Sequence, residues 1–146
     1  MALKSWKSAI SFALAIALAA CAEDDEGPAF QVSSPPPRMA LLYAMNTGTP
    51  TLLGTTRTLY DEDLKIATIG EGHYVILPLF PGRYVFTCGD LPRAAKVTID
   101  ARAGYVYFLQ AKMGNIVNNA SDQTCAAMTY ETALEALKDM TLQSQN

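Results

Sequence analysis

Few side chains in this chain are suited to covalent, acid–base or metal chemistry: three cysteines, Cys21, Cys88 and Cys125, and one histidine, His73. A nucleophilic thiol needs a base within hydrogen-bond reach and a third group to orient that base. His73 is the only imidazole, and it stands just after Gly72 at the start of an expected strand, where a histidine reads as a surface or capping residue. A single histidine with scattered thiols supplies a zinc site poorly. The carboxylates fall either side by side in Asp61-Glu62-Asp63 or spaced along an expected helix at Glu131, Glu135 and Asp139. Such patterns mark solvated faces, whereas glycoside hydrolysis needs two acids held apart across a cleft. No phosphate loop, dinucleotide fingerprint or serine elbow occurs. The expectation is no catalytic residue, no metal and no cofactor.

Cys21 reads differently, because of what precedes it. Lys4 and Lys7 lead into an uncharged run from Ser8 to Ala20. That charged-then-apolar order is that of a secretory signal, and about 13 residues fall short of the roughly 20 that span a bilayer. The run ends in Leu18-Ala19-Ala20-Cys21. An aliphatic residue, two small residues and a cysteine resemble the lipobox of bacterial lipoproteins, in which the thiol takes a diacylglyceryl group as a thioether and the preceding peptide is removed. The resemblance implies that residues 1–20 are a signal peptide and Cys21 is the lipidation site. An ordinary cut near Ala20 and an uncut anchor helix are the competing readings. Two or three acyl chains, at about 0.8 kcal/mol per buried methylene, hold a protein on a membrane firmly. Ala22, where an aspartate commonly signals inner-membrane retention, implies by the same resemblance the periplasmic face of the outer membrane.

Removal of the leader leaves about 126 residues, one domain by the usual size prior. The formal charge of −3 for the whole chain becomes about −5 without Lys4 and Lys7, which argues against a nucleic-acid partner. The acids Glu23 to Glu26 and the prolines Pro35, Pro36 and Pro37 make residues 21–36 read as a solvated, flexible tether.

Beyond the tether, short strand patterns alternate with turn chemistry. Met39 to Met45 is continuously apolar, as in a strand covered on both faces. Thr55 to Tyr60 and Leu64 to Ile69 flank the acidic turn, and His73 to Leu77 is rich in β-formers. Pro81-Gly82 predicts a type II turn leading into Arg83 to Cys88, which would make residues 73–88 a hairpin or a neighbouring pair. In Lys96 to Asp100 the alternation points Val97 and Ile99 inward. Tyr105 to Lys112 is the most aromatic strand and is expected to be central. Only Thr129 to Met140 shows helical spacing, with Tyr130, Leu134 and Leu137 on one face. The expected fold is a small antiparallel β-sandwich, transthyretin-like or immunoglobulin-like, with one C-terminal helix, over residues 37–141. Residues 142–146 are expected to fray.

Within that frame Cys88 and Cys125 form an even pair in an oxidising compartment, so a disulfide is expected in preference to two buried thiols. It would close a loop of about 36 residues and contribute on the order of 3–4 kcal/mol. Tyr74, Tyr84, Tyr105 and Tyr107 form a possible binding face, since tyrosine is amphipathic and enriched at interfaces. The alternative is that they cap the sandwich edge.

Three strings, Pro36 to Tyr43, Gly72 to Tyr84 and Ala103 to Phe108, give an opening strand, a glycine-aromatic strand running into a proline-glycine turn, and a glycine-tyrosine aromatic strand. Together, over residues 36–113, they resemble the bacterial domain of unknown function 2846 family. The resemblance implies an envelope lipoprotein with a small β-sandwich and no catalytic residues to carry over. The functional expectation is a non-enzymatic binding or accessory module, held to the membrane by its N-terminal lipid and partnered by another envelope protein. The alternative is a carrier or sensor of a small apolar ligand.

Overall fold

The computed structural model describes residues 30–48, 55–89, 95–112 and 124–144. Nine strands are described: β1 (Ala40–Asn46), β2 (Thr56–Asp61), β3 (Leu64–Gly70), β4 (His73–Leu79), β5 (Gly82–Cys88), β6 (Lys96–Ala101), β7 (Val106–Lys112), β8 (Thr124–Ala127) and β9 (Thr141–Leu142). One helix, α1 (Tyr130–Leu137), lies between the last two. Sheet A runs β8-β7-β1-β4-β9 and sheet B runs β3-β2-β5-β6. The two sheets form a β-sandwich with a helix near the C-terminus, as the strand pattern predicts.

β1 sits at the middle of sheet A, and every residue in it is buried. Because successive side chains point to opposite faces, one strand serves two cores. Ala40, Leu42 and Ala44 join Leu59, Ile69, Phe86 and Leu109 between the sheets. Leu41, Tyr43 and Met45 join Tyr74, Phe108, Ala133 and Leu137 on the helix side.

Several local expectations are corrected by the tertiary arrangement. β4 and β5 do not pair: they belong to different sheets, so Pro81-Gly82 is the corner between layers. Gly82 does not adopt positive φ, which removes the type II assignment. β7 is next to an edge instead of central, and it runs parallel to β1. The parallel partner is possible because β6 lies in the other sheet, so the chain returns to sheet A after a long excursion. At that return Gly104, with φ 83°, donates its N–H to the Met39 carbonyl at 2.8 Å.

Both ends of the domain are better ordered than their composition suggests. Phe30 packs edge-on against Tyr43 and Tyr74 at ring distances of 6.3 and 5.9 Å. Ser33 donates its N–H to the Tyr43 hydroxyl at 2.7 Å. The described part of the expected tether is therefore a strap across the helix-side core. At the other end, β9 pairs in parallel with His73 and Tyr74, so Leu142 and Gln143 do not fray, contrary to expectation, while residues 145–146 of the expected tail lie outside the described residues. Gln143 holds them, accepting from Gly70 N–H at 2.8 Å and donating to the Thr68 carbonyl at 2.9 Å. α1 starts where expected, with the Thr129 side chain capping Thr132 N–H. Its buried pair is Ala133 and Leu137, while Tyr130 is 52% exposed.

Candidate functional site

The described surface carries a cleft created by a mismatch in strand length. β8 pairs with β7 only from Leu109 to Lys112. Met128 N–H then reaches the Phe108 carbonyl at 3.0 Å, and the chain turns away into α1. The first half of β7, Val106 to Phe108, has β1 on one side and no described strand on the other. Facing this open edge, β6 is itself the edge of sheet B. Between them lies a cleft of about 350 Å³ lined by Thr98, Ile99 and Asp100, by Val106, Tyr107 and Phe108, and by Ala127, Met128 and Tyr130.

The chemistry of the cleft is that of a binding surface. Its floor is apolar, and Tyr130 stands edge-on over Phe108 at 5.8 Å. The Tyr107 hydroxyl is committed to backbone: it donates to the Asp100 carbonyl at 3.0 Å and accepts from Arg102 N–H at 3.1 Å. Asp100 supplies one exposed charge, 4.0 Å from Arg83. At such exposure this pair contributes little to stability.

The four tyrosines singled out from sequence do not share a face. Tyr74 is 8% exposed and stacks on Tyr43 at 6.1 Å inside the helix-side core. Desolvation there, and then the neighbouring Tyr43, raise its pKa above 10.0. Tyr84 stacks on Phe86 at 5.7 Å and donates its hydroxyl to the Phe80 carbonyl at 3.0 Å. Tyr105, 56% exposed, and Tyr107 do lie together at 6.5 Å, but only Tyr107 borders the cleft. The alternate-tyrosine pattern located strands and could not say which layer each would join. Phe108, Met128 and Tyr130 were not singled out, because no local pattern announces that β8 will be shorter than β7.

Cys88 and Cys125 are joined, with Cα atoms 5.2 Å apart, so the bond ties β5 of sheet B to β8 of sheet A. Cys21 and the acids Glu23 to Glu26 lie outside the described residues. His73 donates from Nδ1 to the Glu71 carbonyl at 2.7 Å, a local turn contact. Among the described residues no three His, Cys, Asp or Glu side chains cluster as metal ligands, and no helix is long and apolar enough to cross a membrane.

A second, polar region lies at the opposite end of the sandwich, where β1 finishes and β2 begins. Asn46 is fully buried there. Its amide donates to the carbonyls of Thr55 and Ile69, both at 3.1 Å, and its Oδ1 accepts from Gly48 N–H at 3.2 Å. Arg57, two residues before the inward-facing Leu59, is also buried. The alternation in Thr55 to Tyr60 carries the signal for it, since a residue two before an inward leucine shares its face.

Compared with protein-family models, curated proteins and solved structures, the chain matches none.

Proposed function

We propose that this protein is a lipid-anchored, non-enzymatic module of the bacterial envelope that binds an extended segment of another envelope protein at the open edge of β7. The observation that carries the binding half is the early end of β8. It leaves strand backbone beside an apolar cleft, the arrangement to which an extended chain adds as a further strand. The anchoring half rests on the leader and on Leu18-Ala19-Ala20-Cys21, and Ala22 supports, by the same resemblance, a place on the periplasmic face of the outer membrane. A disulfide spanning the two sheets suits an oxidising compartment.

Site-specific photocrosslinking in intact cells tests the reading. A photoreactive residue at Tyr130, on the cleft rim, is expected to give a discrete protein adduct. The same residue at the exposed Leu64, remote in the fold on β3, is expected to give none. Equal labelling from both positions, or none from Tyr130, would sink the assignment. Cys21→Ser is expected to abolish incorporation of an alkynyl fatty acid and leave the protein unprocessed or released; normal processing and membrane retention would refute the lipid site.

The carrier reading has one observation in its favour, the cleft volume, which falls in the lower range of small-ligand sites. The space between the sheets is filled by Leu42, Leu59 and Phe86. Native mass spectrometry showing a bound small molecule that is lost on Phe108→Ala would favour the carrier over the protein partner.

A further inference from the structure

Three connections meet at the end of the sandwich where β1 begins, and each brings one exposed arginine: Arg38 just before β1, Arg83 just past the β4–β5 corner and Arg102 just past β6. Gly104 N–H meets the Met39 carbonyl at 2.8 Å, Ala40 pairs with Leu79, and Gly82 pairs with Ala101, so the strands join the three connections into one surface. None of residues 36–39, 80–83 or 101–105 is acidic, although the whole chain carries a formal charge of −3. Asp100, 4.0 Å from Arg83, and the turn from Asp61 to Asp63, held to Val85 on β5, mark the border of this basic end. Arg38 and Arg102 form no ion pair with a described carboxylate. Two aromatic rings stand out from the same surface, Phe80 at 70% exposure and Tyr105 at 56%. The backbone under Phe80 is fixed, with Pro81 following it and the Tyr84 hydroxyl donating to its carbonyl at 3.0 Å.

We propose that this end docks on the anionic surface of the membrane that carries the protein's own anchor, with Phe80 at the headgroup boundary and Arg38, Arg83 and Arg102 among the lipid phosphates. A protein partner would need a pocket shaped to each protruding ring and an acid aimed at each guanidinium. A bilayer surface asks for neither, because its negative charge is diffuse and its interface takes up aromatic rings wherever they meet it. The choice of membrane rests on the lipid-anchor reading of Cys21; the docking surface itself does not. Phe30 packs on Tyr74, which pairs with Met45 near the opposite end of β1, and nine residue steps separate Phe30 from Cys21. Extended, those steps reach about 30 Å, against about 23 Å for the seven residues of β1, so the anchor and the docked end can share one membrane.

The test uses the protein as purified from cells, reconstituted into vesicles of phosphatidylcholine or of an equimolar mixture with phosphatidylglycerol, with brominated acyl chains as quencher. Trp6 lies in the leader, so Phe80→Trp gives the processed chain a single tryptophan. Its emission is expected to move to the blue and to be quenched in the mixed vesicles and not in phosphatidylcholine alone. Leu142→Trp, exposed at the end where Phe30 packs, is expected to stay unquenched in both. Adding Arg38→Gln and Arg102→Gln to Phe80→Trp should lower the ratio of docked to free ends about 30-fold, at roughly fivefold for each basic side chain. Flotation reads the anchor separately, since a lipidated chain rises with either vesicle and an unlipidated one rises only with the anionic vesicles, through docking. Flotation with both vesicles but no quenching of Phe80→Trp, equal quenching in the two lipids, or quenching of Leu142→Trp in its place would overturn the docked end and leave the anchor standing. Flotation with the anionic vesicles alone would keep the docked end and refute the anchor.

Discussion

The two faces of sheet A are built from different kinds of side chain. Toward sheet B, β1 offers two alanines around Leu42, and the opposing layer is fastened covalently through Cys88 and Cys125. Toward α1 it offers Leu41, Tyr43 and Met45, and the layer there is assembled from separate pieces: the helix, the strap at Phe30 and Val32, and Met140. A sheet packed on a sheet repeats its spacing over a broad area, so the alanines of β1 are met by Leu59, Ile69 and Phe86 of the facing layer. An eight-residue helix and a strap cannot cover a sheet face evenly, and large aromatic rings fill the gaps. Stability on the helix side thus depends on a few aromatic rings, and on the sheet side on interlocked aliphatic side chains, Phe86 and one bond.

That contrast predicts where single changes hurt. Tyr43→Ala removes a fully buried ring that touches Phe30, Tyr74 and Phe108, and it also removes the acceptor for Ser33 N–H. The expected loss is about 4–5 kcal/mol by denaturant unfolding. A loss no larger than that of a half-buried residue would mean that the helix-side layer does not fold with the sandwich. Replacing Cys88 and Cys125 together by alanine is expected to cost about 3–4 kcal/mol, since 37 positions separate them. If the double variant were as stable as the wild type, the sheet-side layer would be held by packing alone.

The smallest effect is a pH dependence on the helix side. Tyr74 has its pKa raised above 10.0 in the folded state, chiefly by desolvation, so the folded chain holds that proton more tightly than the unfolded one. The resulting stabilisation is complete below about pH 10 and is lost as the pH rises through the folded value. Tyr74→Phe should flatten the alkaline limb of the stability profile while leaving the neutral region nearly unchanged. An alkaline limb of unchanged steepness would assign that titration to another group.

How much was legible in advance follows from the range of the forces involved. The strand at β1 could be read as covered on both faces because a continuous apolar run states its own burial, and the inward pair Val97 and Ile99 followed from alternation within six residues. The fate of Pro81-Gly82 was not legible, since a proline-glycine pair fits a hairpin and an inter-sheet corner equally well; only the partners of β4 and β5 distinguish them. The tail from residue 142 onward reads as free because it lies beyond the helical pattern and its mostly polar residues carry no packing signal. Its anchor is a glutamine side chain meeting backbone more than 70 positions away.

By itself the sequence determined the local alternation that places side chains in or out and the even pair of thiols, Cys88 and Cys125, that joins as a disulfide. Those depend on neighbours along the chain or on cysteine arithmetic. The tertiary structure alone decided that β7 would lie parallel to β1, that β8 would stop short and open a cleft, and that Arg57 would be enclosed between the sheets. Each is a relation between segments far apart in sequence, set by which strands compete for the same edge and by what remains uncovered when they have paired.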